Sequence, residues 1–225
     1  YTVPSDWMLT QFQASFLKDQ PCQRIYNSLN TELWKPLDKA VLRQKYLIST
    51  DRKVLAFIAA DPTKKLKGMD YLLKALSLLP DPASYLLLIA GQDHPDLHQL
   101  NTDFQIQHWG YLNSQEKLNE FYSLADLLVN PSVYETFGLT NVEAMACGTP
   151  VAAFPVCTMP ELIEKASGWL ASDVSSESLA NMIQLAFSDY DLLHEKAHHS
   201  RQTAEQRFSE TYMLDQFEQL YQHLI

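Results

Sequence analysis

Residues 125–160 read ADLLVNPSVYETFGLTNVEAMACGTPVAAFPVCTMP, and the fold is decided there. Residues 126–130 (DLLVN) have the length and composition of a buried strand, and Pro131 and Gly138 punctuate a loop. Residues 141–147 form a helix and 150–154 (PVAAF) a second strand. Strand, loop, helix, strand is the unit of a parallel sheet covered by helices. The alternation continues outward from it. Residues 53–59 (KVLAFIA) read as a strand, 67–79 (KGMDYLLKALSLL) as an amphipathic helix, and 84–90 (SYLLLIA) as a strand buried on both faces. A strand over 104–108 and a helix over 114–124 follow. Beyond residue 170 the pattern turns helical, over 175–187, 190–207 and 210–224; nearer the start, helices are expected over 6–17 and 39–47. The fold class is α/β, with one doubly wound, mainly parallel sheet.

The whole chain has 225 residues, 46% hydrophobic and 20% charged, which supports a packed core. Its 17 basic and 27 acidic residues give a net charge of −10, which argues against a nucleic-acid footprint. A small anion stays possible, since a few cations and backbone amides can hold a phosphate inside an acidic protein. The apolar run at 85–90 is too short to span a bilayer, and no signal peptide is read at the start. The chain opens at Tyr1 without a methionine and is read as a piece of a longer protein. Cys22, Cys147 and Cys157 are widely spaced and read as reduced thiols of a cytosolic protein. Neither a G-x-G-x-x-G nor a P-loop motif is present, which removes the main support for nicotinamide dehydrogenases and P-loop nucleotidases.

Glu135 and Glu143 stand eight residues apart, with Phe137-Gly138-Leu139 between them. Glu135 falls in the loop at the carboxyl end of a strand, the edge where open α/β sheets bind ligands. Glu143 falls in the next helix, whose first amides suit a diphosphate. Carboxylates are poor phosphate ligands but accept well from sugar hydroxyls. A nucleotide carrying a sugar meets both needs. A plainer reading competes: Thr140 and Glu143 form a capping-box pattern that would account for Glu143 in any helix.

The stretch resembles the E-x(7)-E signature of retaining GT-B glycosyltransferases, particularly family four: Glu135, Phe137, Gly138, Leu139, Glu143, Ala144, Met145, Ala146, Gly148, Pro150 and Val151 match it. The resemblance implies the C-terminal half of a GT-B fold, a Rossmann-like domain that binds the nucleotide-sugar donor. It implies that Glu135, the catalytic candidate, holds hydroxyls of the donor sugar and that Glu143 holds the ribose. Thr136 and the amides of Phe137, Gly138 and Leu139 would face the diphosphate. Lys67-Gly68 resembles the family's phosphate-neutralising K-G, with Lys65 a candidate second cation; Gly110-Tyr111 resembles the strand end that meets the base. Residues 1–35 would end the acceptor domain and cross over, 36–208 would form the donor domain, and 209–225 the return helix. No metal or other cofactor is implied. The partners are a nucleotide-sugar donor and an N-terminal acceptor-binding domain; the location is cytoplasmic, with membrane contact at the inner face only through that other domain.

Two departures stand out. Ala60-Asp61 replaces the family's Gly-Arg pair, and Val156-Cys157-Thr158-Met159 replaces its Gly-Gly before Pro160-Glu161. Both keep a non-catalytic nucleotide-binding module in view. A third class comes from His194-Glu195-Lys196-Ala197-His198, a literal zincin H-E-x-x-H, which would make a zinc peptidase. Its neighbours are polar and no third ligand stands out, so a solvated helix is the favoured reading. His94 and His98, also one turn apart, are assigned no metal.

Overall fold

The computed structural model describes residues 1–99 and 104–223. An opening segment pairs β1 (Thr2–Val3) in parallel with β2 (Gln23–Arg24) beside helix α1 (Asp6–Gln13). Then follow α2 (Lys39–Lys45), β3 (Lys53–Ala59), α3 (Met69–Ser77), β4 (Tyr85–Gly91), β5 (Gln105–His108), α4 (Gln115–Leu124), β6 (Leu127–Asn130), α5 (Leu139–Ala146) and β7 (Val151–Ala153). The chain closes with α6 (Met159–Leu162), β8 (Gly168–Leu170), α7 (Ser176–Ala186), α8 (Tyr190–Arg207) and α9 (Glu210–Gln222).

The strands from β3 onward form one parallel sheet in the order β5-β4-β3-β6-β7-β8. Every residue of β4 is buried because helices cover both faces. Successive side chains therefore enter different cores. Val54, Leu88 and Leu128 join Phe121, Val142 and Met145 on one side; Leu55, Leu87 and Leu127 join Leu72, Leu179 and Ile183 on the other. The order runs outward in opposite directions from β3 and β6, so the connections part at their carboxyl ends and leave a crevice.

The expected elements are present with shifted ends. The helix expected from residue 67 starts at Met69, because Lys65–Lys67 wind into a 3-10 turn that ends at Gly68 with φ of 71°. That over 141–147 starts earlier, at Leu139. Helix α1 stops at Gln13 rather than 17, and α9 is described to Gln222, position 224 lying outside the described residues. Strands β1, β2 and β8 and helix α6 were not expected; none exceeds four residues, too few to show a period.

Two cations on α8, buried Lys196 and half-buried Arg201, hold the far side together. Lys196 is buried with its ammonium against the Lys165 and Gly168 carbonyls (the latter at 3.1 Å) and over the Trp169 ring, which ties α8 to the outermost strand. Burial lowers its pKa. Arg201 donates to the carbonyls of Ala146 at 2.8 Å, Trp34 at 2.6 Å and Thr31 at 3.0 Å. It thereby caps the end of α5 and fastens the segment before α2. The ends of the chain meet at Leu29, whose amide donates to Phe208 O and whose carbonyl accepts from Glu210 N. Tyr26 stacks edge-on against Phe208, and Phe208 likewise against Phe137.

Replacing Arg201 by Met leaves those carbonyls without their charged donor. Each such bond contributes about 1.5–3 kcal/mol, so a net loss of about 2–3 kcal/mol is expected. Thermal unfolding should show a melting temperature lower by about 5–10 °C; an unchanged value would remove Arg201 from this role.

Candidate functional site

At the switch point, the loop after β3 interlocks with the loop after β6. The Val133 amide donates to Leu66 O at 3.0 Å. A Cβ on Gly68 would come within 1.9 Å of the Pro131 carbonyl oxygen, so this left-handed position admits glycine alone. The interlock brings Lys67 to Glu135, with Nζ donating to Oε2 at 3.1 Å. Two residues 68 apart in sequence form the cleft's ion pair.

The starts of the helices differ in a telling way. Helices α1, α2, α4, α7, α8 and α9 open on caps from Ser5, Asp38, Ser114, Ser175, Asp189 and Ser209, whose side chains accept from the first-turn amides. Helices α3 and α5, like the one-turn α6, have no side-chain cap; α3 opens on Gly68 and α5 on Gly138 (φ of 91°). The capping-box reading of Thr140 and Glu143 is thereby corrected. Gly138 takes the cap position, Thr140 lies inside the helix, and Glu143 turns elsewhere. A side chain on Gly138 would meet Asn141 Nδ2 at 2.6 Å and Met159 Cε at 3.0 Å, so an ordinary capping residue has no room there.

Glu143 is half-buried, and its Oε2 accepts from the Tyr122 hydroxyl at 2.7 Å. Burial raises its pKa above the ordinary glutamate range, and the tyrosine bond partly offsets this. Burial, with Glu143 beside it, holds the Tyr122 hydroxyl protonated. A cavity of about 340 Å³ is lined by Glu143, Lys67, Thr140, Asn130, Tyr111 and the backbone at Gly91. Glu135 is not one of the lining residues; it meets the cavity only through its bond to Lys67. Larger cavities of about 630 and 750 Å³ lie beside α8, and neither contains Glu135, Glu143 or an uncapped glycine start.

The other expected site residues divide. Tyr111 is exposed and lines the cavity, and Gly110 opens onto free space, with nothing within 4 Å of where a Cβ would stand. Thr136 and Leu139 are exposed; the Thr136 carbonyl accepts from Ser5 Oγ at 3.1 Å. Phe137 is buried with Tyr26 and Phe208, so what it offers the cleft is backbone. Lys65 is exposed and does not line the cavity, whose one lysine is Lys67. Asp61, in the place of the family's arginine, accepts from the Thr63 amide at 3.1 Å and from the Thr63 hydroxyl.

The divergent 156–159 loop braces the loop that carries Glu135 and Phe137. Buried Thr158 donates to Phe137 O at 3.0 Å, and Met159 Sδ accepts from Asn141 Nδ2 at 3.2 Å. Asn141 Oδ1 in turn accepts from Asn130 Nδ2 at 2.8 Å, and Asn130 Oδ1 receives the Ser132 amide at 3.1 Å. Sequence reasoning missed Tyr122, Thr158 and Asn141 as supports of the site. A polar residue inside an apolar motif, as at Asn141, was the available signal.

The zincin motif does not assemble a site. His194, Glu195 and His198 are exposed on α8, and among the described residues no group of metal-ligating side chains includes them. Asp70, His94 and Asp96 do bring ligand atoms within 4.8 Å of one another, a grouping that the spacing of His94 did not suggest; the side chain of His98 lies outside the described residues.

Comparison with known proteins agrees with this geometry. Residues 38–207 match the model of the family described as glycosyl transferases group 1. The chain is 26% identical over 225 residues to N-acetyl-alpha-D-glucosaminyl L-malate synthase of Bacillus anthracis, covering 98% of this chain and 58% of that protein. It superposes on sucrose-phosphate synthase from Thermosynechococcus elongatus with a TM-score of 0.84 at 25% identity, covering 99% of this chain and 57% of that one. HepE from Anabaena, solved in complex with UDP and glucose, gives the same TM-score of 0.84 at 24% identity, with 99% and 62% covered. The chain thus spans little more than half the length of these proteins. With its signature placed at the switch point of a matching sheet, the chain belongs to the group 1 glycosyl transferases, as a C-terminal domain of the GT-B fold.

Proposed function

We propose that the cleft binds the nucleoside-diphosphate sugar donor of a sugar transfer that retains configuration. One observation carries this reading: α3 and α5 both start on glycine without a side-chain cap, Lys67 directly precedes the first of these glycines, Glu135 pairs with that cation, and Glu143 lines the same cavity as it. Uncapped first-turn amides and a helix dipole are an anion site, and carboxylates suit the hydroxyls at either end of such a ligand. In this reading the diphosphate takes Lys67 and the amides after Phe137. The ribose reaches Glu143, the base lies toward Gly110 and Tyr111, and Glu135 holds the transferred sugar. Charge that develops on the departing diphosphate meets fixed donors, a stabilisation of the oxyanion-hole kind.

The acceptor belongs to a domain outside residues 1–225, since the relatives are longer and catalysis requires a closed cleft. The chain alone is expected to bind donor and transfer little. Neither a metal nor another cofactor enters the scheme, and we place the protein in the cytoplasm, meeting the inner membrane face only through the absent domain. Among the described residues no helix is long and apolar enough to cross a membrane. A carboxylate at Asp61, in the place of the family's arginine, favours a second reading, a module that binds nucleotide without turnover; an assay of sugar transfer by the full-length protein separates the two.

A thermal-shift panel of UDP-, GDP- and ADP-sugars tests the donor site. A cognate ligand at 100 times its Kd should stabilise the native protein by about 2.7 kcal/mol, and Glu143→Ala should abolish most of the shift. No shift with any of them sinks the reading.

The Lys67–Glu135 pair gives a sharper test. The lysine must leave Glu135 to meet phosphate, so Glu135→Gln should bind the bare nucleoside diphosphate several-fold more tightly while the full-length variant loses transfer. Lys67→Ala should weaken the same ligand by roughly tenfold or more. Calorimetry on both variants reads the signs; a weaker Glu135→Gln complex would place Glu135 outside the phosphate's electrostatic reach.

A further inference from the structure

The cleft's inner carboxylate has one oxygen engaged by the protein. Tyr122, on α4, is fully buried, and its hydroxyl donates to Glu143 Oε2 at 2.7 Å. The tyrosine is fixed in turn, because its own carbonyl accepts from buried Thr149 Oγ1 at 2.7 Å, just past the end of α5. Glu143 lines the cavity, so with Oε2 taken, Oε1 remains for a ligand. We propose that Tyr122 is the positioning residue of the nucleotide contact, holding the Glu143 carboxylate in one orientation and in its charged form to receive a pair of ribose hydroxyls. This rests on the donor-site reading above and adds a pH dependence to it.

A carboxylate withdrawn from water keeps its proton more readily, and a donor to its charged form opposes that. Both effects act on Glu143, and burial is the larger. The ionisable or charged groups around it are Tyr122 on α4, Cys147 one turn along α5, Arg201 of α8 beyond Cys147, and Lys67 and Tyr111 across the cavity. Tyr122 and Cys147 are both held neutral by burial, and Lys67 is engaged by Glu135. The hydroxyl of Tyr122 is therefore the one protein donor bonded to the carboxylate among the described residues. The sign follows. Glu143 has a raised pKa, so the hydroxyl-accepting form is complete at high pH and is lost as pH falls through that value. Removing the Tyr122 hydroxyl raises the value further and moves the loss to higher pH.

The experiment is calorimetric titration of UDP, and of GDP and ADP, into native protein, Tyr122→Phe and Glu143→Gln across the mildly acidic to neutral range above the ordinary glutamate value. The nucleotide's own terminal phosphate also titrates there, identically for all three proteins, so the comparison cancels it. Tyr122→Phe should shift the acid limb of affinity upward by about one pH unit. Glu143→Gln should bind more weakly and keep only the ligand's own limb. Superimposable limbs for native protein and Tyr122→Phe overturn the proposal while the donor site stands. Binding by none of the three nucleotides to native protein overturns both. Should Tyr122→Phe fail to fold, the hydroxyl proton of Tyr122 in native protein decides by NMR: a slowly exchanging, downfield proton that moves as Glu143 is protonated supports the proposal, and one that exchanges freely with water rejects it.

Discussion

Backbone amides without a side-chain cap at the starts of α3 and α5 are the constraint around which the cleft is arranged. A buried helix start ordinarily finds an acceptor in a serine or aspartate side chain, and most helices of this chain do. At these two starts glycine is required by contacts instead. Pro131 O presses on Gly68, and Asn141 with Met159 presses on Gly138. The same crowding that interlocks the two loops excludes the side chains that would cap the helices. The proposed anion site would thus be a consequence of how β3 and β6 part company, since close packing at the switch point and helix starts without a side-chain cap require the same residue.

Rigidity around those amides comes from polar groups buried beneath the loops. Asn130, Asn141 and Met159 form a chain of side-chain bonds, and Thr158 holds the Phe137 carbonyl. Such groups cost free energy unless bonded. Once bonded they fix one arrangement, since each has few alternative partners. Ser5 adds a further tie from the opening segment by donating to Thr136 O while capping α1. The loop that carries Glu135 is therefore held by α5, by the divergent 156–159 loop and by the opening segment, and Thr158 of that loop reaches the Glu135 carbonyl itself at 3.5 Å.

What the sequence showed and what it hid follow from the distance over which each contact is made. Glu135, Gly138 and Glu143 lie in one local pattern, and Lys67 directly precedes a glycine that begins a helix; all were readable. Tyr122 with Glu143, and Thr158 with Phe137, meet across 21 residues in each case, and no periodicity marks such pairs. Local patterns also misled. Thr140 and Glu143 satisfy the capping box on paper, yet the cap belongs to Gly138 two residues earlier. His194 and His198 have zincin spacing, but spacing supplies neither a third ligand nor burial, and both are exposed. The edge strand β8 has three residues, too few to show a period, and stands out only through its pairing with β7 and the Lys196 ammonium seated on its Gly168 carbonyl and Trp169 ring.

A net charge of −10 does not oppose an anionic ligand here, because the cleft is nearly neutral by itself. Each helix start contributes about half a positive charge, and Lys67 a whole one, against the two carboxylates. A bare phosphate gains little net attraction from that balance; it gains oriented donors. A bare sugar finds acceptors but no role for the amides. A ligand that joins a diphosphate to hydroxyls at both ends satisfies all of these groups together, and in its absence Lys67 and Glu135 satisfy each other. On the proposed reading the ion pair is the cleft's own substitute for the donor, and its separation is the first electrostatic event that binding must bring about.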